Sequence, residues 1–229
     1  MRRTVPALAL LLVAACSTGG SGPAVSTGVP GPPPAVPPAG ATGPAPIAPA
    51  VQVQEVATGL EHVWDIGLLP DGSALVTERP GRIRLLAGTG PGAAVSDVAA
   101  DLGDVHVRGE GGLMGLVVHP DFPQTRRFTT CQTHQQGGTP VDVRLVTWEL
   151  SPDGAVARRV VDPLVGGLPL NPSGRHSGCR PTLGPDGALY VGTGDSANPD
   201  VSQDRSRLGG KVLRVDLATG GPAPGNPFV

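Results

Sequence analysis

The sequence predicts an all-β fold, a β-propeller of which this chain holds about three blades. Two observations carry that expectation. From Gln52 onward, short runs of β-branched and aliphatic residues are punctuated by Gly, Pro and Asp, which is the pattern of strands joined by tight turns. The phrase strand, Pro-Asp, strand then recurs at Pro70-Asp71-Gly72, Pro120-Asp121-Phe122 and Pro185-Asp186-Gly187. Recurrence at blade-sized intervals, with about four antiparallel strands per unit, describes radial repetition. A β-sandwich also uses short strands and turns, but it does not call for the repeated phrase. With 35 Gly and 27 Pro, and only 16% charged residues, the composition does not suit a helical bundle. The formal net charge of −2 argues against a general polyanion partner such as nucleic acid.

In chain order, Arg2 and Arg3 precede an apolar stretch from Val5 to Ala14. That stretch is too short for a stable membrane span and reads as a secretory signal over residues 1–15. Val13-Ala14-Ala15-Cys16 resembles a bacterial lipobox, which implies cleavage before Cys16 and lipid on its thiol. Ser17 to Ala50 has no charged residue and is dense in Pro, Gly, Ala, Ser and Thr. Such a segment buries too little apolar surface to offset its ordering entropy, so residues 16–50 read as a lipidated, disordered tether. The globular part is residues 51–229. There, strands are expected at Trp64–Leu69, Ala74–Thr77 and Arg82–Leu86 in a first unit. Leu113–Val118, Arg127–Thr133 and Val141–Leu150 form a second unit. A third runs from Pro181 through Leu189–Gly192 to Lys211–Leu217. Propellers typically have four to eight blades. The chain closes on the turn-like phrase Gly225-Asn226-Pro227-Phe228-Val229, so the expectation is a truncated copy.

The cysteines bear on the compartment. With Cys16 taken by lipid, Cys131 and Cys179 remain, and in an exported protein a leftover pair points to a disulfide. Two alternatives stay open. Cys131-x-x-His134 and His176-x-x-Cys179 have zinc-like spacing, and two buried free thiols are the other.

The most informative run is Arg175 to Asp195, RHSGCRPTLGPDGALYVGTGD. It sets His176 in a polar, Gly-flanked turn beside a strand. Imidazole is the side chain whose ordinary pKa lies near neutrality, so a positioned histidine can take and return a proton. This run, with Val63–Leu86, Gly109–Phe122 (GEGGLMGLVVHPDF) and Leu208–Phe228, resembles the soluble pyrroloquinoline quinone (PQQ)-dependent aldose sugar dehydrogenases, the glucose/sorbosone dehydrogenase family. The four phrases occur in the family's order.

The resemblance implies a six-bladed propeller with PQQ over the top of the ring. It implies that His176 is the general base, taking the proton of the sugar's anomeric hydroxyl while hydride passes to the quinone. Glu110 matches a polar position that contacts PQQ in some members, and Arg175 is placed to pair with a PQQ carboxylate or to face solvent. Arg180 is expected to pack against the Gly-Thr-Gly-Asp turn, and Asp195 to order that turn. Ser177 and Cys179 depart from residues that are often Asn and Gly in the family. Gln203, Asp204 and Lys211 match a segment near the ring's top without assigned roles. The family's cationic clamp on PQQ and its calcium sites come from later blades, so no metal ligand is assigned here. The implied partners are an aldose, an external electron acceptor and the membrane through the lipid alone. The implied location is the extracytoplasmic face of a bacterial cell membrane. Two further readings stand beside this one. One is a non-enzymatic cell-surface propeller that binds a carbohydrate or a protein. The other is a lactonase-like hydrolase, ranked last because no constellation of metal-binding carboxylates is evident.

Overall fold

Three antiparallel sheets follow one another along the chain, each an up-and-down meander. The computed structural model describes residues 51–228; the expected leader, the lipidated Cys16 and the tether lie outside the described residues. The first sheet runs β1 (Val63–Leu68), β2 (Ala74–Glu78), β3 (Arg82–Leu86) and β4 (Val95–Val98). The second runs β5 (Leu113–Val118), β6 (Arg127–Gln136), β7 (Thr139–Leu150) and β8 (Ala157–Leu168). The third has β9 (Gly178–Leu183), β10 (Leu189–Thr193) and β11 (Val212–Val215). Short helical turns, α1 (Phe122–Thr125) and α2 (Pro199–Gln203), sit in connections. The innermost strands β1, β5 and β9 lie side by side, as blades around a propeller axis do.

The turns explain why the repeat was visible. At Asp71, Asp153 and Asp186 the side chain accepts the backbone N–H two residues on, from Ser73, Ala155 and Ala188. The glycine that follows each Asp takes a positive φ, 87° at Gly72, 73° at Gly154 and 78° at Gly187. Pro120-Asp121 is different. With Phe122 in place of glycine, the chain enters α1, whose first turn bonds back to the Asp121 carbonyl.

Three strands differ from the sequence expectation. β4 is short and polar at its centre. β8 mixes Arg158, Arg159, Pro163 and a Gly pair into twelve residues, and its register against β7 shifts repeatedly. β9 starts before Pro181, the residue expected to begin this unit. It tolerates that proline because an innermost strand is an edge of its own sheet, where an N–H can be lost.

Packing follows the period of two. Along β7, Val146, Trp148 and Leu150 join a core shared with Leu75 and Ile83 of the first sheet. Val143 and Leu145 point the other way, into a core with Cys179, Leu189 and Val191 of the third. The middle sheet is therefore covered on both faces. The outward sides of β1 and β11 expose Leu68 and Val212.

One polar group joins all three sheets. Asp65 of β1 is 9% exposed. Its Oδ2 accepts the Leu116 N–H of β5 at 3.0 Å, and its Oδ1 accepts from Arg180 Nη2 of β9 at 3.0 Å. Asp65→Ala strands the buried Leu116 N–H and is expected to cost about 1–3 kcal/mol. Arg180→Ala removes only a pair whose cation is 66% exposed, and is expected to cost less than about 1 kcal/mol. Paired denaturant titrations check that order.

Cys131 of β6 and Cys179 of β9 form a disulfide with Cα atoms 6.1 Å apart. The pairing settles the alternatives left open by the sequence, because it uses both thiols that a zinc site would need. Cys131→Ser/Cys179→Ser is expected to lower stability by about 2–5 kcal/mol. In the unreduced protein neither thiol should alkylate until the chain is unfolded and reduced; intact-mass measurement reads this directly.

Candidate active site

The loop before β9 is shaped by close backbone approaches. Gly174 packs on the Arg108 carbonyl and Gly194 on the His176 carbonyl; at either position a Cβ would collide with that carbonyl. Between them His176 adopts φ 50°, a left-handed conformation that residues with a Cβ seldom take. Its backbone N–H donates to Glu110 Oε2 at 2.9 Å. Ser177, buried just after it, donates its hydroxyl to the Gly174 carbonyl at 3.1 Å.

The imidazole is paired. His176 Nδ1 lies 2.7 Å from Asp195 Oδ1, and the same oxygen accepts the Ala197 N–H at 2.8 Å. Asp195 therefore orders the Gly-Thr-Gly-Asp turn, as expected, and also orients the histidine, which was not expected. The hydrogen bond from His176, followed by that from Ala197, holds the Asp195 carboxyl below its ordinary value. An ionised Asp195 accepts the proton on Nδ1, which leaves the lone pair of a neutral imidazole on Nε2. The side chain is 48% exposed, and among the described residues Nε2 makes no hydrogen bond.

The other predicted residues separate. Arg175 is exposed and, among the described residues, forms no salt bridge. Arg180 lies beside the Gly-Thr-Gly-Asp turn as the strand partner of Gly192, while its guanidinium reaches across to Asp65, because side chains on a strand alternate and Cys179 already takes the face toward the second sheet. Lys211 is spent on the Val201 and Gly209 carbonyls, each at 2.8 Å. Gln203 ends α2, and Asp204 caps its own turn through Ser206. Arg79, which the sequence reading did not single out, donates from Nη1 to the Gly109 carbonyl at 2.8 Å.

A recess opens close to His176 in the chain, lined by Val63, Trp64, Gly178, Cys179, Arg180 and Gly192. Trp64 also packs against the core shared by the second and third sheets, and the Arg180 guanidinium at the recess is already paired with Asp65. Among the described residues no group of three or more His, Cys, Asp or Glu is placed to hold a metal ion.

A family model described as glucose/sorbosone dehydrogenase matches residues 60–229. The chain is 32% identical over 188 residues to the aldose sugar dehydrogenase YliI of Escherichia coli K12, covering 78% of this chain and 47% of that protein. Among solved structures it is similar to the PQQ-bound aldose sugar dehydrogenase of Streptomyces coelicolor, with a TM-score of 0.68 and 34% identity over 77% of this chain and 50% of that one. A Thermus thermophilus oxidoreductase described as a glucose dehydrogenase superposes with a TM-score of 0.69 at 41% identity, covering 78% of this chain and 50% of its own. The chain spans about half the length of the relatives it matches.

The Asp195 shift has a pH consequence. A depressed folded pKa contributes stability that is present above the unfolded value and is lost as pH falls through the folded value. The Asp195 carboxyl, followed by carbon NMR, should titrate below its ordinary 3.8, and His176→Ala should move that midpoint up. A midpoint indifferent to His176→Ala would mean the pair does not form in solution.

Proposed function

Because the chain belongs to the glucose/sorbosone dehydrogenase family, we propose that it supplies the proton-accepting part of a PQQ-dependent aldose sugar dehydrogenase. The observation that carries this reading is the His176–Asp195 pair, with Nδ1 occupied, Nε2 without a hydrogen-bond partner among the described residues and the side chain half exposed. The relative of known cofactor, the Streptomyces coelicolor enzyme, supports PQQ as the partner of that base. When bound, PQQ supplies the hydride acceptor.

The chain's own residues would act as follows. His176 Nε2 takes the proton from the anomeric hydroxyl as the C1–H bond gives up its hydride, so that a lactone leaves. Asp195, ionised, stabilises the imidazolium that results and keeps the ring from turning. Trp64 of the recess and the exposed Arg175 are the residues of this chain that would meet a flat tricarboxylate, Arg180 being already paired with Asp65. Three carboxylates call for more cationic forks than these, and the resemblance implies that the rest come from later blades. Calcium is implied on the same ground, and no step here uses it. Export, lipid on Cys16 and an electron acceptor outside the cytoplasm complete the proposal from the amino-terminal sequence.

The test uses the full-length gene product reconstituted with PQQ and calcium and assayed by aldose-dependent dye reduction. Wild type should turn over, and His176→Ala should lose about 10²–10⁴-fold in kcat, the usual worth of a positioned acid–base group. No turnover by wild type, or His176→Ala equal to wild type, would leave the non-enzymatic surface propeller as the better reading.

A further inference from the structure

We propose that Glu110 and Arg79 are positioning residues that fix the backbone of His176, so that its imidazole meets the substrate in one orientation. The proposal rests on the reading of His176 as the proton acceptor. It gives Glu110 a task other than direct contact with the cofactor.

The need comes from His176 itself. A non-glycine residue at φ 50° occupies a sparsely populated region and persists only where its surroundings over-determine it. His176 precedes β9 by two residues, so no strand partner takes its N–H. The acceptor is the Glu110 carboxylate, 66 residues earlier and in the loop that leads into β5. An ionised acceptor makes this a charge-assisted bond, about twice as strong as a neutral one. The two loops dock a second time, through the Glu110 N–H and the Gly174 carbonyl at 3.0 Å.

Glu110 is exposed, and a long exposed side chain holds nothing unless its own backbone is held. Arg79 does this from the first sheet. Its Nη1 binds the Gly109 carbonyl at 2.8 Å and lies 3.5 Å from the Gly111 carbonyl. Its own carbonyl accepts the Leu113 N–H at 3.0 Å, which ties it to the start of β5. Arg108 and Gly111 close the loop with reciprocal backbone bonds. The brace therefore runs from Arg79 of the first sheet to the Glu110 loop of the second and the His176 loop of the third. Asp195 holds the ring, while Glu110 and Arg79 hold the backbone that carries it. A glutamine at 110 would accept the same N–H through its amide oxygen; an alanine would not.

Amide hydrogen exchange over residues 173–178 reads the brace without cofactor, in the full chain with its disulfide intact. Glu110→Ala and Arg79→Met should raise exchange there about tenfold or more, with Glu110→Gln close to wild type and the melting temperature little changed. In the PQQ-reconstituted full-length protein, Glu110→Ala should lower kcat about 10–100-fold, as small misplacements of a catalytic group do. The sugar KM should hold and Glu110→Gln should restore most of the rate. If Glu110→Ala does not fold, Arg79→Met with the same two readouts carries the test. Unchanged exchange in Glu110→Ala and Arg79→Met overturns the proposal. So does a Glu110→Gln that weakens PQQ binding tenfold at unchanged exchange, because that result marks a direct cofactor contact. Faster exchange in Glu110→Ala, with His176→Ala still fully active, would sink the proton-acceptor reading and leave the brace as a structural device.

Discussion

The strand-to-strand hydrogen-bond ladders of this fold lie within single blades. Between blades the contacts are mostly apolar, and apolar contact is strong but non-directional. Asp65 supplies the direction. From β1 it bonds the backbone of β5 at Leu116 and the side chain of β9 at Arg180, with little exposure to water. That fixes how far each inner strand is slid along the axis relative to its neighbours. The slide matters because the loops that carry Glu110 and His176 end where these strands begin. Glu110 lies three residues before β5 and His176 two residues before β9, so a small slip at the axis would separate the carboxylate from the amide it accepts.

β9 is held by two successive residues that face opposite ways. Cys179 is bonded covalently to β6 and Arg180 is bonded to Asp65 of β1. The loop carrying His176 therefore leaves an anchored strand and is met at its tip by Glu110 and by Asp195. Exposure of the imidazole and rigidity of its mounting coexist because the fixing contacts go to the backbone and to Nδ1. Nε2 takes no part in either contact.

Much of the architecture was legible along the chain. Ala74–Thr77, Arg82–Leu86 and Leu113–Val118 have strand length, strand composition and turn formers on both sides, and they are strands. β8 and the start of β9 were not legible, because arginines, prolines and glycines interrupt the period that marks a strand. Pro181 fits only because its strand is an edge, and a sequence does not say which strand is an edge. His176 stood out by type and setting. Asp195 was visible as a turn residue, and its second task, nineteen positions from the histidine, was not. Arg79 carried no signal, since an arginine after a strand is ordinary and its partners are backbone carbonyls.

By itself the sequence determined the strand and turn grammar, the resemblance of four ordered phrases to one dehydrogenase family and the identity of the ionisable group. These follow from local chemistry: side-chain period, Asp and Gly turn preferences, and the ordinary pKa of imidazole. Only the tertiary structure decided which groups meet. It bore out the expected Cys131–Cys179 disulfide, sent Arg180 to Asp65 and set Glu110 against the His176 amide. Each pairing joins different sheets, and its distance depends on how the blades pack side by side, a quantity that no local stretch of chain encodes.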